Sequence, residues 1–455
     1  MELSERPRRI LVNKRGSRRA QIYIGIDFGT TFSKVSYLIA PSTKRYTVVF
    51  DDTEQKCFKP SIVYINKTET ELSFNNFTNA KEIKYFKYNM INQTLKTNET
   101  EGVLQKVPKA NLFSAFYLGC LIHKIKALII QNQELKLYTE EPEWYINIGV
   151  PICNYDYTKK HQKEVYDIVL RVGYLFASSN IYSERIKLQD FEKFYLQHEN
   201  DYLNNLNSLS ELYAEVLMYQ QDNQVPEGFY AVVDVGGGTV DIATFHKFFS
   251  KENGSEVECI TQEIEALGVE SLITRNANNA DSEDEREIVR KYLCTAVLNY
   301  NSEFDSMWNL DCPSVNRHCF LLNRRLFRTA YGKCLIEAKE KLRSEMNKQI
   351  QNKQSLHCFL LGGGRGLTFY SQTINYMAGV HKRAGLPKEV ISDVNEYIQN
   401  NSDLVEKDNR LIISQMLAQP YEKIPPIANM PWNFEIEKPK YAPDELVDVD
   451  QKYPK

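Results

Sequence analysis

No Gly-x-x-x-x-Gly-Lys-Ser/Thr loop occurs in the chain, and no Gly-x-Gly-x-x-Gly opens a helix near its start with an acidic residue ~20 positions on. The phosphate-binding loop of P-loop enzymes and the dinucleotide-binding Rossmann unit are therefore excluded. Cys-x-x-Cys pairs are also absent, although there are nine cysteines, which excludes a zinc ribbon and argues against a disulfide framework. The one tight group, Cys312, His318 and Cys319, fits no standard zinc spacing, so reduced structural thiols are expected. No stretch approaches the ~18 uninterrupted apolar residues of a membrane-spanning helix, and no apolar run follows the basic N-terminus, so a cytoplasmic protein is expected. The net charge of -3 leaves no surplus for a globally basic nucleic-acid binder.

What is present is an ordinary folding composition, 42% hydrophobic against 25% charged, in a length of 455 residues that calls for two lobes or domains. Residues 1–20, with Arg6, Arg8, Arg9, Lys14, Arg15, Arg18 and Arg19 and little apolar, read as a flexible basic arm, the only part suited to nucleic acid. Strand and helix patterns alternate from Gln21 onward, which implies an α/β fold with helix-covered sheets. The expected divisions are lobe I over 21–225 with a helical insertion near 178–210, lobe II over 226–400, a helix returning to lobe I over 401–430, and a tail over 431–455. Repeated prolines from Pro425 to Pro454 forbid regular structure in that tail.

Three glycine turns punctuate the pattern. Alternating Ile22, Ile24 and Ile26 run into Asp27-Phe28-Gly29-Thr30-Thr31 and resume at Val35 and Tyr37, which reads as two strands about a tight turn. The device recurs where the strand from Tyr230 meets Asp234-Val235-Gly236-Gly237-Gly238-Thr239-Val240-Asp241. A third turn, Gly362-Gly363-Gly364, follows the apolar run from Cys358 to Leu361. Glycine lets successive backbone N–H groups converge on one anion, and threonine hydroxyls add donors, so the first two turns placed face to face would clasp a polyphosphate. Asp27 and Asp234 end their strands beside these turns, where a carboxylate would repel phosphate unless a cation lay between. Mg²⁺, which keeps most of its waters and takes one or two carboxylates, matches that pair.

Gly25-Ile26-Asp27-Phe28-Gly29-Thr30-Thr31 resembles the first phosphate motif of the actin, heat shock protein 70 and sugar kinase superfamily, and Asp234 to Asp241 resembles its second in the chaperone branch. Tyr145 to Pro151, Glu211 to Tyr219, Ala266 to Glu270, Leu361 to Arg365 and the helix from Arg410 are similar to further motifs of the heat shock protein 70 nucleotide-binding domain. The resemblance implies a two-lobed actin-like ATPase fold, duplicated ribonuclease H-like domains with ATP or ADP and Mg²⁺ between them. It implies Asp27 and Asp234 on the metal, largely through water, with Asp241 supporting. Gly29, Thr30 and Thr31 would hold phosphates from one lobe and Gly236, Gly237, Gly238 and Thr239 from the other. Glu211 would orient the attacking water, and Gly362, Gly363 and Arg365 would face adenosine. The family also places a lysine on the phosphates; Lys87 lies in the corresponding region, with Lys81 and Lys84 near by. Glu337-Ala338-Lys339 is similar to an adenosine-gripping helix but at the wrong spacing.

Few residues follow the returning helix, so the resemblance leads to an atypical member without a substrate-binding domain, a chaperone-like nucleotide switch acting on a protein partner. A filament-forming actin-like ATPase is the first alternative and a small-molecule kinase of the same superfamily the second.

Overall fold

Ile22, Ile24 and Ile26 point to one side of the first strand and Tyr23, Gly25 and Asp27 to the other, and both sides are buried. A strand covered on both faces belongs in the middle of a sheet, and the computed structural model has it there. The structure describes residues 19–51, 53, 56–87, 89–90, 107–151, 157–221, 225–250, 254–277, 282–295, 317–383, 386–387, 389–392 and 401–421.

In the first lobe, β1 (Arg19–Phe28) pairs antiparallel with β2 (Phe32–Ile39), and β2 with β3 (Arg45–Thr47). On its other side β1 runs parallel to β4 (Glu140–Val150), and β4 to β5 (Leu206–Ser210), giving the order β3-β2-β1-β4-β5. The second lobe repeats this order. There β6 (Gly228–Val235) is antiparallel to β7 (Val240–Ser250), and β7 to β8 (Gly254–Glu265). On the other side β6 is parallel to β9 (Leu356–Leu361), and β9 to β10 (Glu389–Ser392). The chain is thus a two-lobed α/β molecule built from one five-strand pattern used twice, the architecture of the actin-like fold.

Parallel neighbours need crossovers, and helices supply them. The first lobe carries α1 (Lys109–Ile129), α2 (Tyr157–Ala177), α3 (Leu188–His198) and α4 (Glu211–Gln221). The second carries α5 (Val269–Asn276), α6 (Glu283–Thr295), α7 (Arg317–Lys341), α8 (Arg343–Gln351) and α9 (Thr368–Arg383). A short α10 (Ile412–Leu417) then returns to the first sheet, where it crosses β1 so closely that a Cβ on Gly25 would stand 2.1 Å from the Ser414 carbonyl oxygen. Among the described residues only α1 is long and apolar enough to cross a membrane, and its apolarity is accounted for by burial against α2 and the first core.

Each lobe has its own apolar core, and a third joins them. Leu212, Val216 and Leu217 of α4 meet Val232 and Phe245 of the second sheet and Ile412 and Met416 of α10 there. The lobes therefore share a base, while the turns at the strand ends stay polar.

Three sequence expectations need correction or bounding. Arg19, expected in the flexible arm, opens β1 and lies 3.4 Å from Glu140 and 3.6 Å from Glu143. The expected helical insertion at 178–210 holds one helix, α3, between the short strand Arg185–Lys187 and β5, which is the edge strand of the first sheet. The rest of the basic arm and the proline-rich tail lie outside the described residues, as do Cys312 and the side chains of His318 and Cys319.

Candidate functional site

The first turn is the tip of the β1–β2 hairpin, and Ser61 braces it: its N–H donates to the Thr31 carbonyl at 2.9 Å and its hydroxyl to the Gly29 carbonyl at 2.8 Å. The second turn is the tip of the β6–β7 hairpin, and its carbonyls are taken by the start of α5. Gly236 O accepts from Val269 N at 3.0 Å, Gly237 O from Glu270 N at 2.7 Å, and Gly238 O from the Ser271 hydroxyl at 2.7 Å. With these carbonyls engaged behind the turn and the Gly236 N–H donated to the Thr239 carbonyl at 2.9 Å, a ligand at this turn would meet the N–H groups of Gly237 and Gly238. The two turns oppose each other directly, since a Cβ on Gly237 would lie 2.5 Å from Thr31 Oγ1.

Beneath the turns is a buried floor of charge. Asp27 and Lys34 are cross-strand partners, and their side chains meet at 2.6 Å. Asp234 and Asp241 occupy the matching ladder positions in the second lobe. From α4 come Glu211, which meets Lys87 at 2.5 Å, and Glu215 one turn further on. Five carboxylates thus share a buried floor with two lysines, and the excess shows in their acidities. Burial first, then Glu211, pushes Asp234 up to about 7. Glu215 and Asp241 are driven well above the carboxylate range, again by burial ahead of neighbouring acids. Glu211 is raised by burial despite Lys87. Burial pulls Lys34 down, but Asp27, Asp234 and Glu211 carry it above its ordinary value.

The third turn packs against the strand that leads into the second, with the Gly364 N–H donating to the Val235 carbonyl at 2.9 Å. Gly362 has φ +78°, and a Cβ there would strike Asp234 Oδ1 at 2.1 Å, so a glycine is required on both counts. Opposite it, Phe58, Asn409, Arg410, Ile412 and Ile413 form the wall contributed by the first lobe. At the rim the lobes are tied by Tyr85, whose hydroxyl donates to Glu270 Oε2 at 3.1 Å and lies 3.2 Å from Arg286 Nη2; Arg286 in turn holds Glu270 at 2.5 Å.

One cavity of about 310 Å³, within the usual range for small-molecule sites, brings these parts together. Asp27, Gly29, Thr30, Thr31, Lys87, Glu211, Asp234, Gly236, Gly237, Gly238, Thr239, Gly362 and Gly363 all line it. Asp241 stands behind Asp234 without reaching the surface of the cavity. Of the three lysines near one another in sequence, Lys81 and Lys84 are exposed and Lys87 is the buried one. Arg365 is not among the lining residues; it sits half-buried, close enough to Asp408 to affect its acidity. Neither Glu337 nor Lys339 lines the cavity.

Lys34, Glu215 and Arg410 do line it, although sequence reasoning assigned none of them a role. Two carried a legible signal. A hairpin with its tip at Gly29-Thr30 sets residue 34 across from residue 27, and a glutamate four positions after Glu211 falls on the same helix face.

No family model matches the chain, and no curated protein sequence does. Among solved structures the chain is similar to MreB5 of Spiroplasma citri bound to ADP, at 14% identity over 87% of this chain and 94% of that one, with a TM-score of 0.43.

Proposed function

We propose that this cleft binds ATP with Mg²⁺ and that the chain is a slow ATPase of the actin-like type. The observation that carries the reading is the apposition of Thr31 and Gly237, which sets two glycine-threonine turns from a repeated topology face to face over buried acids.

The residues present fit a divalent cation. Oδ1 of Asp234 and Oδ1 of Asp241 are buried without a hydrogen-bond partner, and the surplus of carboxylates is relieved only by protons or a cation. Among the described residues no group of three or more His, Cys, Asp or Glu is placed to hold a metal directly, which suits an ion bound mainly through its waters to Asp27 and Asp234. Bound there, Mg²⁺ would neutralise charge on the phosphates. Thr30, Thr31 and the N–H groups of both turns hold phosphate oxygens, and Lys34 and Lys87 supply positive charge beside them. Glu211, held by Lys87 and raised by burial, is positioned with Asp234 to orient a water and accept its proton. Gly362 and Gly363 border the adenosine end.

The motifs that bring the sequence near chaperones are the ones the nucleotide occupies, so they support the ATPase and not a chaperone output. Self-assembly of an actin-like ATPase uses the same motifs and needs no client-binding element. Calorimetry with ATP, with and without Mg²⁺, together with phosphate release in the absence of any acceptor, tests the proposal. Metal-dependent binding and acceptor-free release are expected, with release reduced at least tenfold in Asp27→Asn and in Asp234→Asn. Unchanged hydrolysis in both variants would show the metal assignment to be wrong, and release only on adding an acceptor would identify a kinase.

A further inference from the structure

Arg410 is held in a way that suits neither a surface charge nor a phosphate clamp. It belongs to the 3-10 turn Asn409–Leu411, which Asp408 caps by accepting from the Arg410 N–H at 2.9 Å. The same carboxylate takes Nε at 3.1 and 3.2 Å and Nη2 at 2.7 Å, so one edge of the guanidinium is fully engaged. Its plane rests on Phe58, with Cζ 4.2 Å from the ring centroid. Phe58 in turn meets Phe32 edge-on, and Phe32 follows directly on Thr31 of the first turn. The side chain still keeps 40% of its surface exposed, and it faces the cleft.

Charge and position say what such a group recognises. Asp408 cancels most of the positive charge, which leaves a flat, weakly hydrated, polarisable surface of the kind that stacks on aromatic rings. Burial works to raise the Asp408 carboxyl, but its bonds to Arg410 and the nearby charges of Arg410 and Arg365 hold it below its ordinary value. Arg365 closes the third glycine turn and its charge reaches Asp408, so Asp408 and Arg410 stand near that turn, and Arg410 lines the same cavity as its glycines.

We propose that Arg410, backed by Phe58 and neutralised by Asp408, is the platform for the base of the nucleotide and the side chain that separates a nucleotide from a bare polyphosphate. The role expected of Arg365 thus falls to Arg410. The inference rests on the reading of the cleft as an adenine-nucleotide site.

Affinities of Arg410→Ala and Arg410→Lys for ATP, ADP and inorganic tripolyphosphate, all with Mg²⁺, test it. Arg410→Ala should weaken ATP and ADP about tenfold and leave tripolyphosphate within about twofold. Arg410→Lys keeps the charge beside Asp408 but loses the plane, and it should bind ATP several-fold more weakly than the unsubstituted chain. Unchanged ATP affinity in Arg410→Ala, full recovery in Arg410→Lys, or equal losses for ATP and tripolyphosphate would each overturn the platform. If the unsubstituted chain binds tripolyphosphate but gains nothing from the nucleoside, the adenine reading of the cleft fails and the platform with it.

Discussion

Asp234 is where the chemistry of single residues is most exposed to experiment. Its carboxyl, raised to about 7, binds a proton in the folded chain over the range in which the unfolded chain has lost it. Protons bound preferentially by the native state make stability fall as pH rises, here between about 4 and 7, and Glu211, raised in the same direction, adds to the fall. The cation proposed for this floor would take over where the protons leave. Thermal unfolding should therefore show a larger stabilisation by Mg²⁺ at pH 8 than at pH 5.5, and Asp234→Asn should flatten the difference. Equal stabilisation at both pH values would contradict a cation held by this floor. The acids of the turns were legible because each closes an apolar strand and precedes glycines. Lys34 was harder to see, since it looked like an outward residue in an alternating strand, whereas the ladder sets it beside Asp27 on a face buried by α10. Arg365 follows the third glycine turn directly, yet Arg410 is the arginine that lines the cavity, and which of the two does so depends on contacts from the other lobe that the sequence does not show.

At the scale of elements, the contact between Tyr85 and the start of α5 links the lobes, and an opening of the cleft on this side would break it. Tyr85 is held at φ +60°, a strained value for a residue with a ring, and its hydroxyl is the group that spans the gap. Its partner Glu270 donates its N–H to Gly237 O, so the rim is connected to the second turn. Tyr85→Phe removes two hydrogen bonds, the one donated to Glu270 and the one accepted from Arg286, each worth roughly 0.5–1.5 kcal/mol, and release of a bound fluorescent ADP analogue should speed up at least about twofold with little change in melting temperature. An unaltered release rate would show that the cleft opens elsewhere. Element types were mostly readable from period and length, as for α1, α2 and α4. The exception is β5: Leu206–Ser210 is short and polar, with nothing local to mark it as a strand, and only the parallel edge of β4 makes it one.

For the whole molecule, the repeated turn in the sequence announced a repeated lobe, but not the third core on which α4 and α10 join the two. Whether the chain assembles, as the filament-forming alternative requires, is open to direct measurement. Sedimentation at high protein concentration should show pelleting that depends on ATP, and a chain that stays monomeric with ATP would turn attention to a separate partner, sought by pull-down with ATP against ADP. The duplication also has a consequence for symmetry. Asp27 faces Lys34 and Asp234 faces Asp241 at equivalent rungs of equivalent hairpins, so the two halves approximate a twofold pair whose one conspicuous difference at that rung is the sign of a charge. A symmetric cleft would treat both ends of an ionic ligand alike. This one is not symmetric in charge: the rung of the first half is an Asp–Lys ion pair and that of the second is a pair of acids, so the two ends of an ionic ligand would meet different surroundings.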